Sequence, residues 1–449
     1  MNLDFLAPLL YPAAIIAFFL SFSRPQLGIY YLVLVLPLQT MRYEIQSYPL
    51  GGSIIDIVLL GVLVGALLHR DEALFSELPV KWVLLVSFIY WYASLWHGSY
   101  SLSLPWPTSI DDVRFTYWKS YVEMGLLCFI TFAVIKTEEQ IRNVVLIMCA
   151  SALVISVDFF QTVNGLDFSH FSPAIRYAGF IGYAGVNGLA AFDAILVLFL
   201  LGMLGSRVWQ SWQRGLIVLA FLASMYALVF ALSRGAYLAF AAGVLVMALL
   251  KKRVILVLAL AGLIAGALMV PSAVSDRISG TYVESGDSEQ GTLDNSSESR
   301  VLIWQDALEI FQMFPITGTG FQTYAFMHRT PGLSDTHNYY LKVLLEEGLL
   351  GFAIFLAVLA KMFAQGYRLF RSTDDDFLSS LGVAFVACIT GAAVVNVFGD
   401  RWTYLQVDSY LWILLALVCR GRILARDGAT EVAGEAAVPL GAVSLPVAN

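Results

Sequence analysis

Long apolar runs recur along the whole chain, and most are close to the roughly 20 residues that a helix needs to cross a bilayer. They predict spans at about residues 5–22, 26–40, 53–69, 79–96, 117–135, 143–163, 184–205, 215–232, 236–250, 254–271, 348–366, 380–397 and 405–419. The first run has no basic stretch before it and no small-x-small cleavage site, so it is typical of a membrane span and not of a removed signal peptide. The pattern therefore predicts an all-α membrane protein, a polytopic bundle of about 12–13 transmembrane helices.

One long stretch, residues 272–347, lacks an apolar run of spanning length. Residues 276–299 are rich in Ser, Gly, Asp and Glu without apolar periodicity, which predicts a loop. From Val301 onward, apolar residues recur at helical spacing, which predicts an amphipathic helix. Pro315 and the glycines after it end this helix, and a second amphipathic stretch, residues 337–347, leads into the next span.

Composition narrows the class further, because 59% of the residues are hydrophobic and only 13% are charged. A soluble domain carries about 25% charged residues, so this chain has too few to cover a water-facing surface. Its four cysteines all lie inside apolar runs without paired spacing, which argues against disulfides and against a cysteine-rich metal site. We expect no metal, no cofactor and no nucleic-acid partner.

Basic residues decide the predicted orientation, since cytoplasmic loops of membrane proteins carry an excess of Lys and Arg. The densest basic turn, residues 251–253, is therefore expected in the cytoplasm, and alternation of the spans leaves residues 272–347 on the periplasmic side. The predicted domains are ten spans in residues 1–271, this periplasmic loop with its amphipathic helices, C-terminal spans in residues 348–419, and a disordered cytoplasmic tail in residues 420–449.

Ten basic residues remain on the predicted periplasmic side, where this charge bias acts against them. They are Arg42, Arg114, Lys119, Arg176, Arg234, Arg277, Arg300, Arg329, Lys342 and Arg401. Lys119 and Lys342 lie near span ends, where the ordinary interpretation is a side chain that snorkels to the interface. Arg277 and Arg329 lie in polar loop and are expected to be solvated.

Arg234 lacks such an explanation, because it interrupts an apolar stretch of about 35 residues and an arginine at that depth is costly without a polar cavity or a partner. One interpretation is a buried ion pair with a carboxylate such as Asp400. The other is an anion site. Arg176 comes just before the span at 184, and Arg300 lies at the start of the helix predicted from Val301. Three guanidiniums on one face would form forked, permanently charged clamps suited to a pyrophosphate.

His337 begins the second amphipathic stretch and is the histidine best placed to take a proton near neutral pH. The alternative is an interfacial histidine that only caps the helix. His69, His97, His170 and His328 show no mutual metal-ligand spacing and are interpreted as interfacial or solvated. The sequence has no H-x-x-x-H, G-x-S-x-G or Walker-type motif, which argues against a metalloprotease, a serine hydrolase and an NTPase.

Four short motifs stand out in the second half of the chain. They are Leu232-Ser-Arg-Gly-Ala236, Ser299-Arg-Val-Leu-Ile-Trp-Gln-Asp-Ala307, Pro315-Ile-Thr-Gly-Thr-Gly-Phe321, and Asp335-Thr-His-Asn-Tyr-Tyr-Leu341 with Glu347-Gly-Leu-Leu-Gly351 shortly after. In this order they resemble the O-antigen ligase and polymerase superfamily of bacterial membrane glycosyltransferases. The resemblance covers roughly residues 170–400, and the order of the motifs makes it specific.

The resemblance implies a metal-independent, C-type glycosyltransferase of the bacterial inner membrane, whose long periplasmic loop forms the cleft. Such enzymes take a glycan from undecaprenyl diphosphate, within the lipid membrane, and join it to an acceptor sugar without a cofactor. The matching residues are Arg176, Arg234 and Arg300 for the diphosphate, and His337 near the acceptor. Supporting roles are expected for Asn338, Tyr339, Asp400 and Arg401.

The acceptor is the point that the sequence leaves open. A ligase would place the glycan on the lipid A-core oligosaccharide during lipopolysaccharide biosynthesis, which is the interpretation we favour. An O-antigen or exopolysaccharide polymerase would place it on another lipid-linked repeat unit. A remote alternative is an ion-coupled transporter, but such proteins place ionisable residues near the bilayer midplane, often in paired halves. Here the charges gather at one rim. A purely structural scaffold would leave Arg234 unexplained.

Overall fold

A computed structural model describes residues 6–69, 77–109, 111–251, 272–279, 282–283, 292–293, 295–327 and 335–436 of the chain. The α-helices are α1 (Leu6–Ser21), α2 (Pro25–Val35), α3 (Gln39–Ile45), α4 (Ile54–Leu68), α5 (Lys81–Ser101), α6 (Val113–Val134), α7 (Glu138–Val163), α8 (Gly185–Leu204), α9 (Ser211–Phe230), α10 (Arg234–Lys251), α11 (Ser272–Ser279), α12 (Asn295–Met313), α13 (Tyr324–Met327), α14 (Tyr339–Ser372), α15 (Asp376–Val395) and α16 (Leu405–Ala436). Short 3-10 helices lie at Gly51–Ser53, Pro173–Ile175 and Gly179–Ala184.

The predicted fold class, an all-α polytopic membrane protein, is confirmed. Within the described residues, seven helical segments are long and apolar enough to cross a membrane: Gly51–Leu68, Glu138–Val163, Gly185–Leu204, Ser211–Phe230, Arg234–Lys251, Tyr339–Ser372 and Asp376–Val395. Helices α1 and α2 are apolar but shorter. The predicted span at 254–271 lies outside the described residues. Two-residue strands, β1 (Tyr282–Val283) and β2 (Thr292–Leu293), pair antiparallel beside the helices.

Helices α8 and α15 form the centre of the bundle and are buried on nearly all sides. Helix α15 packs against α8, α10 and α14. Because lipid tails are as apolar as the side chains, close helix packing in a membrane depends on small residues. Gly202 lies against Ala384, where an added Cβ would come within 2.5 Å of the Ala384 Cβ, and an added Cβ on Gly243 would come within 2.3 Å of Leu198. These small residues bring α8, α10 and α15 close enough to support a common set of loops at their ends.

The end of the bundle at which α10 finishes contains residues that the sequence predicts to be cytoplasmic. Lys251 Nζ lies 2.5 Å from Ser380 Oγ, and the backbone N–H of Arg207 donates to Asp376 Oδ2 at 2.6 Å. Helix α10 runs from Arg234 to Lys251, a rise of about 27 Å at 1.5 Å per residue. Arg234 therefore lies at the opposite end of α10 from Lys251.

Helix α14 is broken at Gly348, where φ is 66° and ψ is −168°. An added Cβ there would lie 2.3 Å from the carbonyl oxygen of Ile316, so both the backbone conformation and the space require glycine. Just after the break, Leu349 N–H donates to the carbonyl of Pro315 at 2.8 Å. The backbone at the break thus forms a hydrogen bond with the loop that follows α12.

The first half of α14 holds that loop through buried carboxylates. Glu346 accepts hydrogen bonds from the backbone N–H groups of Gln322 and Tyr324, both at 3.0 Å. The carboxylate of Glu347 accepts a hydrogen bond from Trp91 Nε1 on α5. Both glutamates are almost fully buried, so these partners are needed to stabilise them. The motifs at 315–321 and 347–351 therefore form one interlocked unit.

The expected disordered tail is wrong for residues 420–436, because α16 continues to Ala436. Arg420 Nη2 donates to the carbonyl of Phe132 at 2.6 Å, in the last turn of α6, and its guanidinium lies 4.3 Å from the Phe132 ring centroid. Arg422 donates to Gln365 on α14. The basic residues thus bond to neighbouring helices and extend the helix past its apolar part. Residues 437–449 lie outside the described residues.

The expected loop at 276–299 is also partly helical. Residues 276–279 belong to α11, and α12 begins at Asn295, six residues before the predicted start at Val301. Apolar periodicity marks only the packed part of a helix, so the polar first turns of α12 carry no such signal.

Candidate anion-binding site

Segments that are far apart in sequence converge on one pocket at the end of the bundle where α8 and α10 begin. Its empty volume, including the part open to solvent, is about 500 Å³. The lining residues are Arg176, Asn187, Leu232, Ser233, Arg234, Gly235, Arg277, Arg300, Val395, Phe398 and Arg401. Five of these are arginines, and none of the described lining residues is acidic. Such a concentration of guanidinium groups is suited to a phosphate or carboxylate.

Two helix N-termini add to the positive potential of this pocket. Asn187 lies in the first turn of α8, and Arg234 and Gly235 are the first two residues of α10. The backbone N–H groups of a first helical turn have no partner within the helix, and the helix dipole places partial positive charge there. Anions bind at such ends without further arrangement. The backbone and the arginines therefore favour the same kind of ligand.

Arg176 is held in the pocket wall by hydrogen bonds from its guanidinium. Nη2 donates to Asn187 Oδ1 at 2.8 Å, and Nε donates to the carbonyl of Ala231 at 3.3 Å. Asn187 Oδ1 also accepts from Ser233 Oγ at 3.1 Å. Burial, and then the charges of the neighbouring arginines, lower the pKa of Arg176 to about 10. Arg176 therefore stays charged at neutral pH, in a fixed orientation.

Arg234 does not interrupt a continuous helix. The chain turns between α9 and α10, where Leu232 adopts a positive φ of 53° and is fully buried. The hydroxyl of Tyr237 donates to the carbonyl of Val229 at 2.6 Å and so joins the two sides of the turn. The apolar stretch read from the sequence is two helices, and the arginine lies at the break between them.

Asp400, the proposed partner of Arg234, forms an ion pair with another residue. Its Oδ2 lies 2.8 Å from Lys342 Nζ and accepts from Thr403 Oγ1 at 2.8 Å. The expectation that Lys342 snorkels is wrong, since its side chain is only 14% exposed and is paired with this carboxylate. Asp400 therefore holds the loop between α15 and α16 against the start of α14.

Arg401 is positioned by the same loop. The side-chain oxygen of Asn396 accepts hydrogen bonds from the backbone N–H groups of Arg401 at 2.9 Å and Trp402 at 3.0 Å. The Arg401 guanidinium lines the pocket and lies 5.9 Å from the ring centroid of Tyr404. Of the four residues expected to support the site, Arg401 is the one that reaches the pocket.

Arg300 enters the pocket from α12, the amphipathic helix. The apolar face of this helix, at Ile303, Ala307 and Ile310, packs against Tyr324 and Leu345. That packing fixes the rotation of α12 about its axis, and Arg300 consequently faces the pocket instead of bulk solvent.

Arg277 was expected to be solvated, and this is wrong, because it is half-buried and lines the pocket. Its guanidinium lies 4.5 Å from the ring centroid of Phe171. Helix α11, which carries it, is docked through a hydrogen bond of 3.1 Å from Ala273 N–H to the carbonyl of Phe168. The available signal was the apolar pair at 273–274 followed by Ile278, a short amphipathic pattern beside the polar loop.

His337 is not among the residues that line the arginine pocket. Its neighbours in the chain bind two elements that do contribute lining residues, α12 and the loop between α15 and α16. The carbonyl of Thr336 accepts from Trp304 Nε1 on α12 at 3.0 Å, and Tyr339 N–H donates to the carbonyl of Asn396 at 2.9 Å. Trp304 is one helical turn from Arg300. The His337 side chain is 40% exposed, so it is accessible to solvent.

The interpretation of His337 as a helix cap is wrong. Asn338 is the N-cap of α14, and its Oδ1 accepts from the N–H groups of Tyr340 and Leu341 at 3.0 and 3.2 Å. Tyr339 is also structural, because it is buried and its ring packs against Phe355. Neither Asn338 nor Tyr339 lines the pocket.

Other predicted positions have local partners. Lys119 does not simply snorkel, because it pairs with Asp56 at 2.9 Å and with Glu123. His97 lies 3.1 Å from the carbonyl oxygen of Gly318. Arg329 and His328 lie outside the described residues. Across the described part of the chain, no group of three or more His, Cys, Asp or Glu side chains is placed to hold a metal ion.

Residues 217–356 match the family model described as O-antigen ligase. This segment of the chain is similar to the O-antigen ligase family. The matched segment contains Arg234, Arg277, Arg300 and His337, whereas Arg176 and Arg401 lie outside it. No curated protein matches the chain. The O-antigen ligase family implies lipid-linked glycan and acceptor glycan substrates in general.

Proposed function

We propose that the protein is an O-antigen ligase, which moves a glycan from undecaprenyl diphosphate to the lipid A-core oligosaccharide on the periplasmic side of the bacterial inner membrane. The match of residues 217–356 to the O-antigen ligase family model supports the reaction class, and the helical spans support a membrane location. The donor, the acceptor and the side of the membrane are parts of the proposal.

The observation that carries this proposal is the arginine pocket. A lipid diphosphate joined to a sugar carries two negative charges, and a further charge develops on it as the bond to the sugar breaks. Preorganised cations in a partly dry site stabilise such a developing charge. Arg176, Arg234 and Arg300 supply these cations together with Arg277 and Arg401. Arginines can do so without a metal, because their forked donors match phosphate oxygens.

His337 is proposed as the general base. The acceptor hydroxyl oxygen forms a bond to the anomeric carbon of the donor's first sugar, and its proton passes to the imidazole. The bond between that carbon and the diphosphate oxygen breaks, and the lipid diphosphate leaves with both bonding electrons. Attack opposite the leaving group inverts the anomeric configuration. No ATP is required, because the donor bond is already activated.

A polymerase would carry out the same chemistry with another lipid-linked repeat unit as acceptor, and the pocket described above would serve both reactions. An ion-coupled transporter is less compatible with the geometry. Transporters place their ionisable sites near the bilayer midplane at discontinuous helices. The arginines here lie at the ends of α8, α10 and α15 and in the segments that connect them.

Glycolipid analysis of a deletion strain tests the proposal, with the wild-type gene and an Arg234→Ala variant returned on a plasmid. A ligase predicts lipid A-core without attached glycan in the deletion strain, restoration by the wild-type gene and no restoration by Arg234→Ala. Single-repeat caps on lipid A-core would identify a polymerase instead. Unchanged glycolipids in the deletion strain would reject both activities.

A further inference from the structure

One carboxylate contacts His337 at two points. Asp335 Oδ2 lies 3.2 Å from His337 Nδ1, and Asp335 Oδ1 accepts a hydrogen bond of 3.2 Å from the backbone N–H of His337. The two residues are only two positions apart, and the positive φ of His337, 52°, folds the chain so that the ring returns to the carboxylate. Each oxygen of Asp335 therefore has its own partner on the same histidine.

Other contacts keep this carboxylate ionised and in place. Burial by itself would raise the pKa of Asp335, but the hydrogen bonds from His337 and the charge of Lys342 bring it down to about 2. Lys342 is in turn fixed by Asp400 at 2.8 Å. The charge that acts on Asp335 is thus held by Asp400, which lies in the loop that carries Arg401.

We infer that Asp335 is a positioning residue for His337, a role that rests on the proposed function. An ionised carboxylate can only accept, so it selects the tautomer in which Nδ1 carries the hydrogen. The lone pair of the imidazole is then on Nε2, on the far side of the ring from Asp335. The carboxylate also holds the ring plane, and its negative charge stabilises the imidazolium that forms when Nε2 takes the proton of the acceptor hydroxyl.

A second histidine and aspartate pair in the chain has a similar contact distance, but its histidine is much more exposed to solvent. His170 Nδ1 lies 3.3 Å from Asp276 Oδ2, but the His170 side chain is 88% exposed. Solvent screens an ion pair of this kind, and exposed pairs contribute little. His170→Asn is therefore a suitable control, since it removes a histidine from an aspartate contact without touching the pocket lining.

A double-mutant cycle on the purified full-length protein tests the inference, with transfer from the lipid-linked donor as readout. Asp335→Asn keeps an acceptor for the backbone N–H but removes the charge. We expect it to lower kcat by about 10- to 100-fold, the range seen for residues that orient metal-ligating histidines, with little change in the KM for the donor. Asp335→Glu should recover part of the rate. His170→Asn should transfer at the wild-type rate.

The decisive measurement is the effect of Asp335→Asn in a protein that already carries His337→Asn. If Asp335 acts through His337, adding Asp335→Asn to His337→Asn should cause no further loss, because coupled residues are not additive. An equal loss in both backgrounds, or a wild-type kcat for Asp335→Asn, would overturn the positioning role. If His337→Asn itself transfers at the wild-type rate, the base assignment in the proposed function fails instead.

Discussion

Trp304 Nε1 donates a hydrogen bond of 3.0 Å to the carbonyl of Thr336. This contact joins α12, which carries Arg300, to the segment that carries His337. Arg300 and Trp304 are four residues apart, so they lie about 6 Å apart along the helix axis and on the same face. The indole therefore sets the separation between a pocket arginine and the proposed base.

Trp304→Phe should lower the transfer rate about 2- to 10-fold, because it removes the donor to Thr336 while keeping an aromatic ring in place. A single hydrogen bond contributes about 1 kcal/mol, which corresponds to a factor of about five. The measurement is kcat together with the Kd for the donor, and we expect the Kd to be unchanged. Trp106→Phe, at a position that is 56% exposed, serves as the control. A loss confined to donor affinity would contradict the proposed role of this contact.

Arg234→Ala and Arg300→Ala should each abolish transfer while the protein still folds in the membrane. Arg→Lys at either position should recover little activity, because an ammonium cannot reproduce the forked contact with phosphate oxygens. Donor binding and transfer by purified protein are the readouts. Arg426→Ala, an exposed arginine far along α16, should behave as wild type. An alanine variant with wild-type turnover would remove that arginine from the diphosphate site.

His337→Asn and Asn338→Ala are adjacent changes with opposite expected effects. Asn tolerates the positive φ of position 337, yet it cannot act as a base, so transfer should fall by about 10² to 10⁴ with stability retained. Asn338→Ala removes the cap of α14 and should cost about 1 kcal/mol of stability with most of the transfer activity retained. Thermal unfolding and single-turnover transfer separate the two. Near wild-type transfer by His337→Asn would place the base elsewhere.

Transfer should survive treatment with a strong chelator. Within the described residues, no carboxylate and histidine cluster is placed to hold a divalent ion, and arginines already supply positive charge to the pocket. Initial rates are measured before and after EDTA and after added magnesium. Activity that disappears with EDTA and returns with magnesium would contradict a purely arginine-based site.

Cysteine labelling tests the orientation. The four native cysteines are buried, so they give a low background. His170→Cys should react with an impermeant reagent added to cells with a permeabilised outer membrane, because position 170 is exposed beside the pocket. Asp427→Cys, directly after the last basic residue of α16, should react only after the inner membrane is opened. The reverse pattern would invert the predicted topology.

Apolar run length alone predicted the all-α class, because a helix that crosses a bilayer must be apolar along its length whatever it packs against. The cost of burying charge singled out Arg234, and the order of four motifs carried the resemblance to the O-antigen ligase and polymerase superfamily. These inferences use only local properties of the chain. The predicted topology needed only the distribution of basic residues, and it stays a prediction.

The tertiary structure decided which charged residues lie together. Sequence spacing could not show that Arg277 belongs to the pocket, since its helix becomes part of the wall only by docking on Phe168 and Phe171. Nor could it show that Asp400 pairs with Lys342 instead of Arg234, because electrostatic partners depend on distances of a few Å between segments far apart in the chain. Local composition fixes which residues are costly to bury, but long-range packing decides which charges meet.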